Sequence, residues 1–329
     1  MISSTSSCAV SKREEAGAQQ PYSVSYIHCK VCGSDAPKVL GLRGNLEYSG
    51  APPLKASEPH MVTNVVACRN CGFVYTNPLM LLPEGDHRQQ YHESDAYVPY
   101  GRDPAKALGR VLASIEQLMP RKGRLLDVGA GKGEFLAMAR NRGWKVEGVE
   151  PSEGLANHAT ETYHLPLTRT PLGVEGANFP DESFDVVTLN MVLEHVEDPN
   201  RLLREINRVL TRDGLLLIEV PALDSFLLQA IRVYFFLKKK DWSPLLSPLH
   251  WPFHCYGYPL RTIRYLCRQH GFRVVKARTV DLSARGFRAH SNISPAEARL
   301  RYLVMKLGGL MGRGDVLMVY CRKSSEAAR

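Results

Sequence analysis

The sequence has no apolar run of the about 18 residues that a helix needs to cross a bilayer. Residues 1–20 also lack the apolar core of a secretory signal, and they contain two adjacent glutamates, which are unusual in organelle-targeting peptides. We read this segment as a disordered tail. The sequence therefore predicts a cytoplasmic protein with no transmembrane segment.

Acidic residues are fewer than basic ones. The 329 residues include 42 Lys and Arg against 33 Asp and Glu, a formal net charge of +9, and 44% are hydrophobic. These values are typical of a globular protein of about two domains. A basic surface attracts anionic partners, which include phosphorylated or nucleotide-linked substrates, RNA and an acidic membrane face.

Four of the eight cysteines form two Cys-x-x-Cys-Gly motifs, Cys29 with Cys32 and Cys68 with Cys71. Two such pairs supply the four thiolates of a tetrahedral zinc site, and the glycine permits the turn. Disulfides or redox pairs are the alternative, but without a secretion signal or a thioredoxin-like pattern zinc is favoured. We predict a zinc-ribbon-like module over residues 21–85, whose closed four-thiolate site makes the ion structural.

Beyond residue 121 the chain alternates short apolar strands with amphipathic helices. This alternation predicts a doubly wound, Rossmann-like α/β sheet over residues 121–329, covered on both faces. Residues 86–120 are predicted to be a linker followed by a helix from roughly 104 to 119. The predicted strands are 124–129, 145–150, 184–190, 214–221, 272–279 and 316–322.

A lid-like insertion is predicted at residues 223–260. It contains the apolar segment 226–237, which is too short to span a membrane and is followed by three lysines. The segment fits a buried helix, a substrate lid or an interfacial helix. We favour the buried helix or the lid.

A glycine-rich turn follows the first strand of this sheet, in the sequence "DVGAGKGEF". Gly129 and Gly131 allow a sharp turn and a close approach of the backbone to a ligand, and Gly133 permits close packing of the next helix. A dinucleotide fingerprint would need a further glycine where the chain has Glu134. The pattern therefore argues against a pyrophosphate ligand.

Two acidic residues flank this turn. Asp127 precedes the first glycine by two residues, and it suits a ligand that carries positive charge. Glu150 ends the second strand, where a carboxylate can accept hydrogen bonds from both ribose hydroxyls. The ligand predicted from these residues is a nucleoside with a cationic group and no phosphate.

Four stretches resemble the class I S-adenosylmethionine-dependent methyltransferases: "LLDVGAGKGEF", "VEGVEPS", "FPDESFDVVTLNMVLEHVEDP" and "LLREINRVLTRDGLLLIEVP". The resemblance covers about residues 110–222 and implies a mostly parallel sheet whose last strand is antiparallel. It also implies that S-adenosylmethionine is the cofactor. Its methionine end would be held by Asp127, by the backbone of Gly129, Ala130 and Gly131, and by Asn190 and Met191 beneath it.

The same resemblance assigns the nucleoside end of the cofactor. Glu150 would bind the ribose, and Pro151 would lie beside the adenine. Relatives often carry an aspartate where this chain has Gly173. Val174 or Glu175 is therefore expected to take over the contact with the adenine edge.

The cysteine motifs ahead of this core resemble a zinc-ribbon group of methyltransferases that includes sugar C-methyltransferases. In that group a "HEH-x-x-Y-F-S-L" stretch after the fifth strand supplies the catalytic base. Here the stretch reads "WPFHCYGYPLRTI", which aligns His254 with the second histidine and places Pro252 and Phe253 at the first histidine and the glutamate. The implied acceptor is a small molecule, such as a sugar, a nucleotide-linked sugar or a secondary metabolite.

Two histidines are candidate catalytic bases, because a base assists methylation of a hydroxyl or a carbon acid and histidine titrates near neutral pH. His254 is the first candidate. His195 is the second, with packing or capping of the following helix as its alternative role.

Two other functions are compatible with the sequence. One is an RNA or protein methyltransferase that uses the zinc ribbon for recognition, which would suit the net charge. The ribbon, however, has no run of basic residues interleaved with aromatic ones. The other is a non-catalytic scaffold, which the retained glycines and acidic residues disfavour.

Overall fold

The structure is a computed structural model that describes residues 23–44, 62–81, 104–174, 177–246, 254–281 and 295–324. A short 3-10 helix, Leu193–His195, follows the ninth strand. The strands and α-helices are, in chain order, β1 (Ser23–Ser25), β2 (Pro37–Gly44), β3 (Val62–Cys68), β4 (Val74–Thr76), β5 (Leu79–Leu81), α1 (Pro104–Leu118), β6 (Arg124–Val128), α2 (Glu134–Asn141), β7 (Lys145–Val149), α3 (Glu153–Tyr163), β8 (Leu167–Thr168), β9 (Phe184–Asn190), α4 (Pro199–Val209), β10 (Leu210–Pro221), α5 (Phe226–Leu237), β11 (Tyr256–Gly257), α6 (Leu260–Gln269), β12 (Phe272–Val280), α7 (Pro295–Leu310) and β13 (Val316–Lys323).

The central sheet has seven strands in the order β12-β13-β10-β9-β6-β7-β8. The pairs among β8, β7, β6, β9 and β10 are parallel, whereas β13 is antiparallel to both β10 and β12. The predicted mostly parallel sheet with an antiparallel last strand is confirmed. The structure adds β8, which is only two residues long and too short to give a sequence pattern.

Helices cover both faces of this sheet, as the continuous apolar strands predict. Along β10, Leu216 and Ile218 join a core that includes Leu203 and Ile206 of α4. The alternate residues Leu215 and Leu217 face the opposite side and join a core with Leu112 and Ile115 of α1. All of these side chains are fully buried, so period-two alternation places apolar groups in two separate layers.

The N-terminal strands form a second sheet with the order β11-β4-β3-β2. Its pairs are antiparallel, and its edge strand β11 comes from the segment that follows α5. The ring of Phe73 lies 5.7 Å from that of Tyr256 and 5.0 Å from that of Tyr258, measured between centroids. The cysteine-containing segment and the second half of the chain are therefore joined by a strand pair and by an aromatic core.

Helix α5 lies largely in solvent. Phe235 is its buried residue, whereas Val233, Phe236 and Leu237 are exposed. Of the two favoured readings, the buried helix is therefore wrong, because apolar composition alone does not supply a surface for a helix to pack against, and the lid stays a prediction. No helix among the described residues is long and apolar enough to cross a membrane.

Candidate active site

The glycine-rich turn after β6 is fixed by backbone hydrogen bonds. The N–H groups of Gly129 and Ala130 donate to the Val149 carbonyl at 2.7 and 3.0 Å, at the end of the neighbouring strand β7. Gly129 and Gly131 have φ angles of +76° and +56°, which few other residues adopt. A Cβ on Gly129 would lie 2.4 Å from a methyl group of Val192, so a side chain there would clash with the segment that follows β9.

Asp127 lies beneath this turn and is buried. Its Oδ1 accepts hydrogen bonds from the hydroxyl of Thr188 at 2.6 Å and from the amide of Asn190 at 2.9 Å. Burial raises the pKa of Asp127 to about 8, and the negative charges of Glu219 and Glu150 act in the same direction. A cationic group bound nearby would favour the ionised carboxylate, as predicted for a sulfonium nucleoside.

Glu150 follows β7 directly and is nearly buried. One carboxylate oxygen accepts the N–H of Gly131 and the other accepts the N–H of Ser152, both at 2.8 Å. These two bonds fix the carboxylate at the end of β7, beside the glycine turn. The structure thus links the two sequence signals, the glycine turn and the acid at the second strand end.

The end of β9 completes this group of residues. Asn190 Oδ1 is buried and has no hydrogen-bond partner among the described residues. Met191 has a φ of +57°, an uncommon angle for a non-glycine residue, and its N–H donates to the Glu219 carbonyl at 3.0 Å. An unsatisfied acceptor beside a strained residue is typical of a ligand site, because a bound donor group can supply the missing bond.

The residues predicted for the adenine lie at less defined positions. Pro151 is exposed and adjoins Glu150, and Glu175 lies outside the described residues. Val174 lines an open cleft of about 630 Å³ together with Phe179 and Arg201. The described lining of that cleft includes neither the glycine turn nor its flanking acids, so the adenine assignments stay predictions.

The two candidate bases, distant in sequence, lie side by side. The ring centroids of His195 and His254 are 4.9 Å apart, at an interplanar angle of 57°. His254 Nε2 lies 3.8 Å from Oε1 of Glu194, and the side chains of His254 and Glu194 are 17% and 1% exposed. One oxygen or nitrogen of each of the three side chains lies within 4.8 Å of the others.

Glu194 was not anticipated from the sequence. It lies in the 3-10 helix after β9, and neither carboxylate oxygen has a hydrogen-bond partner among the described residues. Burial raises its pKa to about 8 against the hydrogen bond of its own backbone, and the charge of Glu219 adds to the rise. Its position beside His195 in the "LEH" stretch was the only signal available in the sequence.

The capping alternative for His195 is not what the structure shows. Helix α4 is capped by Asp198, whose carboxylate accepts the N–H of Arg201 at 2.9 Å. The side chain of His195 is exposed at the end of the 3-10 helix. His195 is therefore accessible from solvent on the side of the histidine cluster.

His254 is positioned by the N-terminal sheet. It lies two residues before β11, and the N–H of Thr76 donates to the Cys255 carbonyl at 3.3 Å. The hydroxyl of Thr262 donates to the Cys71 carbonyl at 3.1 Å, which ties the second cysteine motif to α6. Tyr256 and Tyr258 pack inward on Phe73. The other aromatic residues of this stretch, Trp251 and Phe253, lie outside the described residues.

The four cysteines of the two motifs converge. The sulfur atoms of Cys29 and Cys71 are 3.5 Å apart, as are those of Cys32 and Cys68. These distances exceed the about 2.05 Å of a disulfide bond and approach the about 3.8 Å edge of a tetrahedron with about 2.3 Å zinc–sulfur bonds. Burial raises the pKa of Cys68, but hydrogen bonds from the backbone of Cys71 and Asn70 and from the Cys32 and Cys29 side chains lower it to about 7. The hydrogen bond with Cys71 and burial raise the pKa of Cys29. The four thiols therefore fit the predicted structural zinc ion.

Comparisons with known proteins identify similar sequences and structures. A family model described as a methyltransferase domain matches residues 100–277. The chain is 31% identical over 168 residues to an uncharacterised methyltransferase of Mycobacterium leprae (strain Br4923), covering 50% of this chain and 60% of that protein. It is 32% identical over 140 residues to a ubiquinone biosynthesis O-methyltransferase of Caulobacter sp. (strain K31), covering 38% and 54%.

The chain spans about half the length of the curated relatives it matches. Among solved structures, a putative sarcosine dimethylglycine methyltransferase from Galdieria sulphuraria is similar with a TM-score of 0.49 and 17% identity. That similarity covers 74% of this chain and all of the other.

Proposed function

Because this chain belongs to the class I S-adenosylmethionine-dependent methyltransferases, we propose that it methylates a small-molecule acceptor with the assistance of a histidine base. The acceptor class is a sugar, a nucleotide-linked sugar or another secondary metabolite. Within this class, the reacting group is a hydroxyl or a carbon acid, which must lose a proton when it is methylated.

The observation that carries the proposal is the cluster of Glu194, His195 and His254 at the carboxyl edge of the central sheet. Asp127, Glu150 and Asn190 lie at the carboxyl ends of β6, β7 and β9, and Glu194 follows β9 by four residues. In open α/β sheets ligands bind outside this edge. The residues proposed to hold the cofactor and those proposed to take up the proton therefore lie at the same edge of the sheet, where the parallel strands end.

The cofactor-binding role rests on the donor and acceptor groups at this edge. Asp127 and Asn190 Oδ1 offer acceptors to the cationic end of the cofactor, and Glu150 offers acceptors to the ribose hydroxyls. S-adenosylmethionine, when bound, supplies a methyl group already activated by a positively charged sulfur. The protein therefore contributes mainly alignment of the acceptor, which can be worth several orders of magnitude in rate.

His254 is proposed to accept the proton, with Glu194 as its partner. A neutral imidazole that takes up a proton becomes a cation, and the nearby carboxylate of Glu194 stabilises that cation when it is ionised. Conversely, the positive charge on His254 favours ionisation of Glu194, whose pKa is otherwise raised by burial. His195, which is exposed beside this pair, is placed to orient the acceptor or to pass the proton to water.

The experiment that tests this function is a methyl-transfer assay on candidate acceptors, read by mass spectrometry as the gain of one methyl group. We expect methylation of a hydroxyl- or carbon-acid-bearing sugar or metabolite, with rates that rise as the histidine loses its proton. Transfer to RNA or to a protein, with no small acceptor methylated, would contradict the proposal and favour the recognition role of the ribbon.

A further inference from the structure

Helices α5 and α7 expose two apolar stripes. On α5 the side chains of Val233, Phe236 and Leu237 are 57%, 80% and 73% exposed. On α7 the exposed residues recur at helical spacing and so share one face: Leu300, Leu303, Leu307 and Leu310. Exposed apolar groups in this number mark an interaction surface, because water-facing helices normally carry polar residues there.

Helix α5 is hydrogen-bonded to the turn that follows α7, at the carboxyl ends of the parallel strands. The N–H of Phe226 donates to the Arg313 carbonyl at 3.1 Å, and the guanidinium of Arg313 donates to Gln229 Oε1 at 2.9 Å. Helix α5 follows the carboxyl end of β10, and α7 precedes the start of β13, where Pro221 pairs with Val316. Both helices therefore attach at the edge of the sheet that carries the candidate active site.

Basic residues predominate around these stripes. Residues 224–241 and 295–315, which contain the two helices and their flanks, include eight basic residues and four acidic ones, Asp224, Asp241, Glu297 and Asp315. Lys306 also forms an ion pair with Asp281 at 2.8 Å. The basic residues are Arg232, Lys238, Lys239, Lys240, Arg299, Arg301, Lys306 and Arg313.

This combination favours one partner. A second copy of the chain would bring like charges together, which opposes association. RNA would match the charge but would leave the leucines and Phe236 exposed to water. A bilayer with anionic headgroups matches both, because apolar side chains enter the interface while basic ones meet the lipid phosphates.

We propose that the exposed faces of α5 and α7 dock on an anionic membrane surface, with the helices lying in the headgroup region. Docking would hold the carboxyl edge of the sheet beside the lipid. The inference concerns a surface outside the glycine turn and the histidine cluster, so it stands apart from the proposed reaction.

The test is flotation of the full chain with vesicles of phosphatidylcholine alone or with phosphatidylglycerol added. We expect at least about tenfold tighter binding to the anionic vesicles, weakened by salt because exposed charges are screened. The double substitution Phe236→Ser with Leu237→Ser should weaken that binding at least about tenfold, since it removes two interfacial side chains. Charge reversal by Lys238→Glu with Lys239→Glu should abolish the preference for phosphatidylglycerol.

A matched control is Val39→Ser, which changes a 58% exposed apolar residue on β2. It should leave vesicle binding unchanged, and thermal melting should show that all variants remain folded. The proposal is overturned if neither vesicle binds, if both bind equally, or if the Phe236 and Leu237 substitutions have no effect. It is also overturned if the chain is a dimer that these two substitutions dissociate, because a second copy would then cover the face.

Discussion

Two histidine–carboxylate pairs among the described residues have nearly the same separation but different surroundings. His28 Nδ1 lies 3.7 Å from Asp35 Oδ1, with side chains 70% and 72% exposed. His254 Nε2 lies 3.8 Å from Glu194 Oε1, with side chains 17% and 1% exposed. Water screens the charges of the first pair. The second pair is buried, where an ionised side chain is unfavourable unless an opposite charge lies beside it. Burial, more than spacing, distinguishes a pair that can exchange a proton with a ligand from an ordinary surface contact.

The largest expected difference between the pairs is in turnover. His254→Ala should lower kcat by about 10²–10³, the usual contribution of a general base, while cofactor affinity stays within a factor of two. Steady-state kinetics and calorimetry measure the two quantities. His28→Ala is the matched control and should leave both unchanged. Full activity of the His254 variant would remove it as the base.

A substitution beside the glycine turn should weaken cofactor binding and leave kcat nearly unchanged, the reverse of the result expected for His254→Ala. Glu150→Ala should weaken S-adenosylmethionine binding by about 1–3 kcal/mol, because a buried acceptor of charge-assisted hydrogen bonds is lost. At saturating cofactor its kcat should stay close to that of the unmodified protein. Calorimetric titration measures the affinity, and an unchanged value would contradict the ribose assignment.

Loss of a cysteine should also affect the pair of His254 and Glu194, because β11 connects the cysteine-bearing sheet to His254. Cys68→Ser removes one of the four converging thiols, so bound zinc should fall and the module should lose stability. Because β4 pairs with β11 next to His254, we expect kcat to fall about tenfold with cofactor affinity retained. Elemental analysis gives the metal content. A variant with unaltered zinc would rule out the four-thiolate site, whatever its activity.

The smallest expected effect is on stability. Because the pKa of Glu194 is raised from 4.5 to about 8, the folded protein holds a proton that the unfolded chain releases, so stability falls as pH rises between those values. Glu194→Gln cannot ionise, and its unfolding free energy should exceed that of the unmodified protein by about 1–2 kcal/mol at pH 8. Denaturant unfolding at several pH values measures this.

Asp35→Asn is the control for that experiment, and its unfolding free energy should stay close to that of the unmodified protein because the Asp35 side chain is 72% exposed. If the Glu194 variant also follows the unmodified protein at every pH, the carboxyl group titrates normally. It would then have no special role beside His254.

The arrangement of the residues proposed to bind the cofactor was largely predictable from the sequence because its signals are local. Strand β9 has the predicted bounds of 184–190, and the acid before the turn, the glycines and Glu150 fall within 25 residues. The alternation of buried side chains along a strand and the requirement for glycine at positive φ are both visible within a few residues of sequence. A reader of the sequence can therefore place these groups without knowing the rest of the fold.

The cluster of Glu194, His195 and His254 was only partly predictable because it is assembled from residues far apart in the sequence. His254 meets Glu194 across 60 positions of sequence, and the pairing depends on β11 joining a sheet that begins at β2. Glu194 itself has no pattern that separates a buried acid from a surface one. For α5, the apolar composition predicted burial, but what covers a helix is decided by its neighbours.

A two-residue strand from the later half of the chain closes the sheet that carries the four cysteines. Without β4, strand β11 loses its pairing partner, and the segment that carries His254 loses its attachment to the cysteine-bearing sheet. Exchange of that sheet between related enzymes would therefore move the His254 imidazole relative to the residues proposed to bind the cofactor. Under the proposed function, acceptor preference would then change through residues that never contact the acceptor.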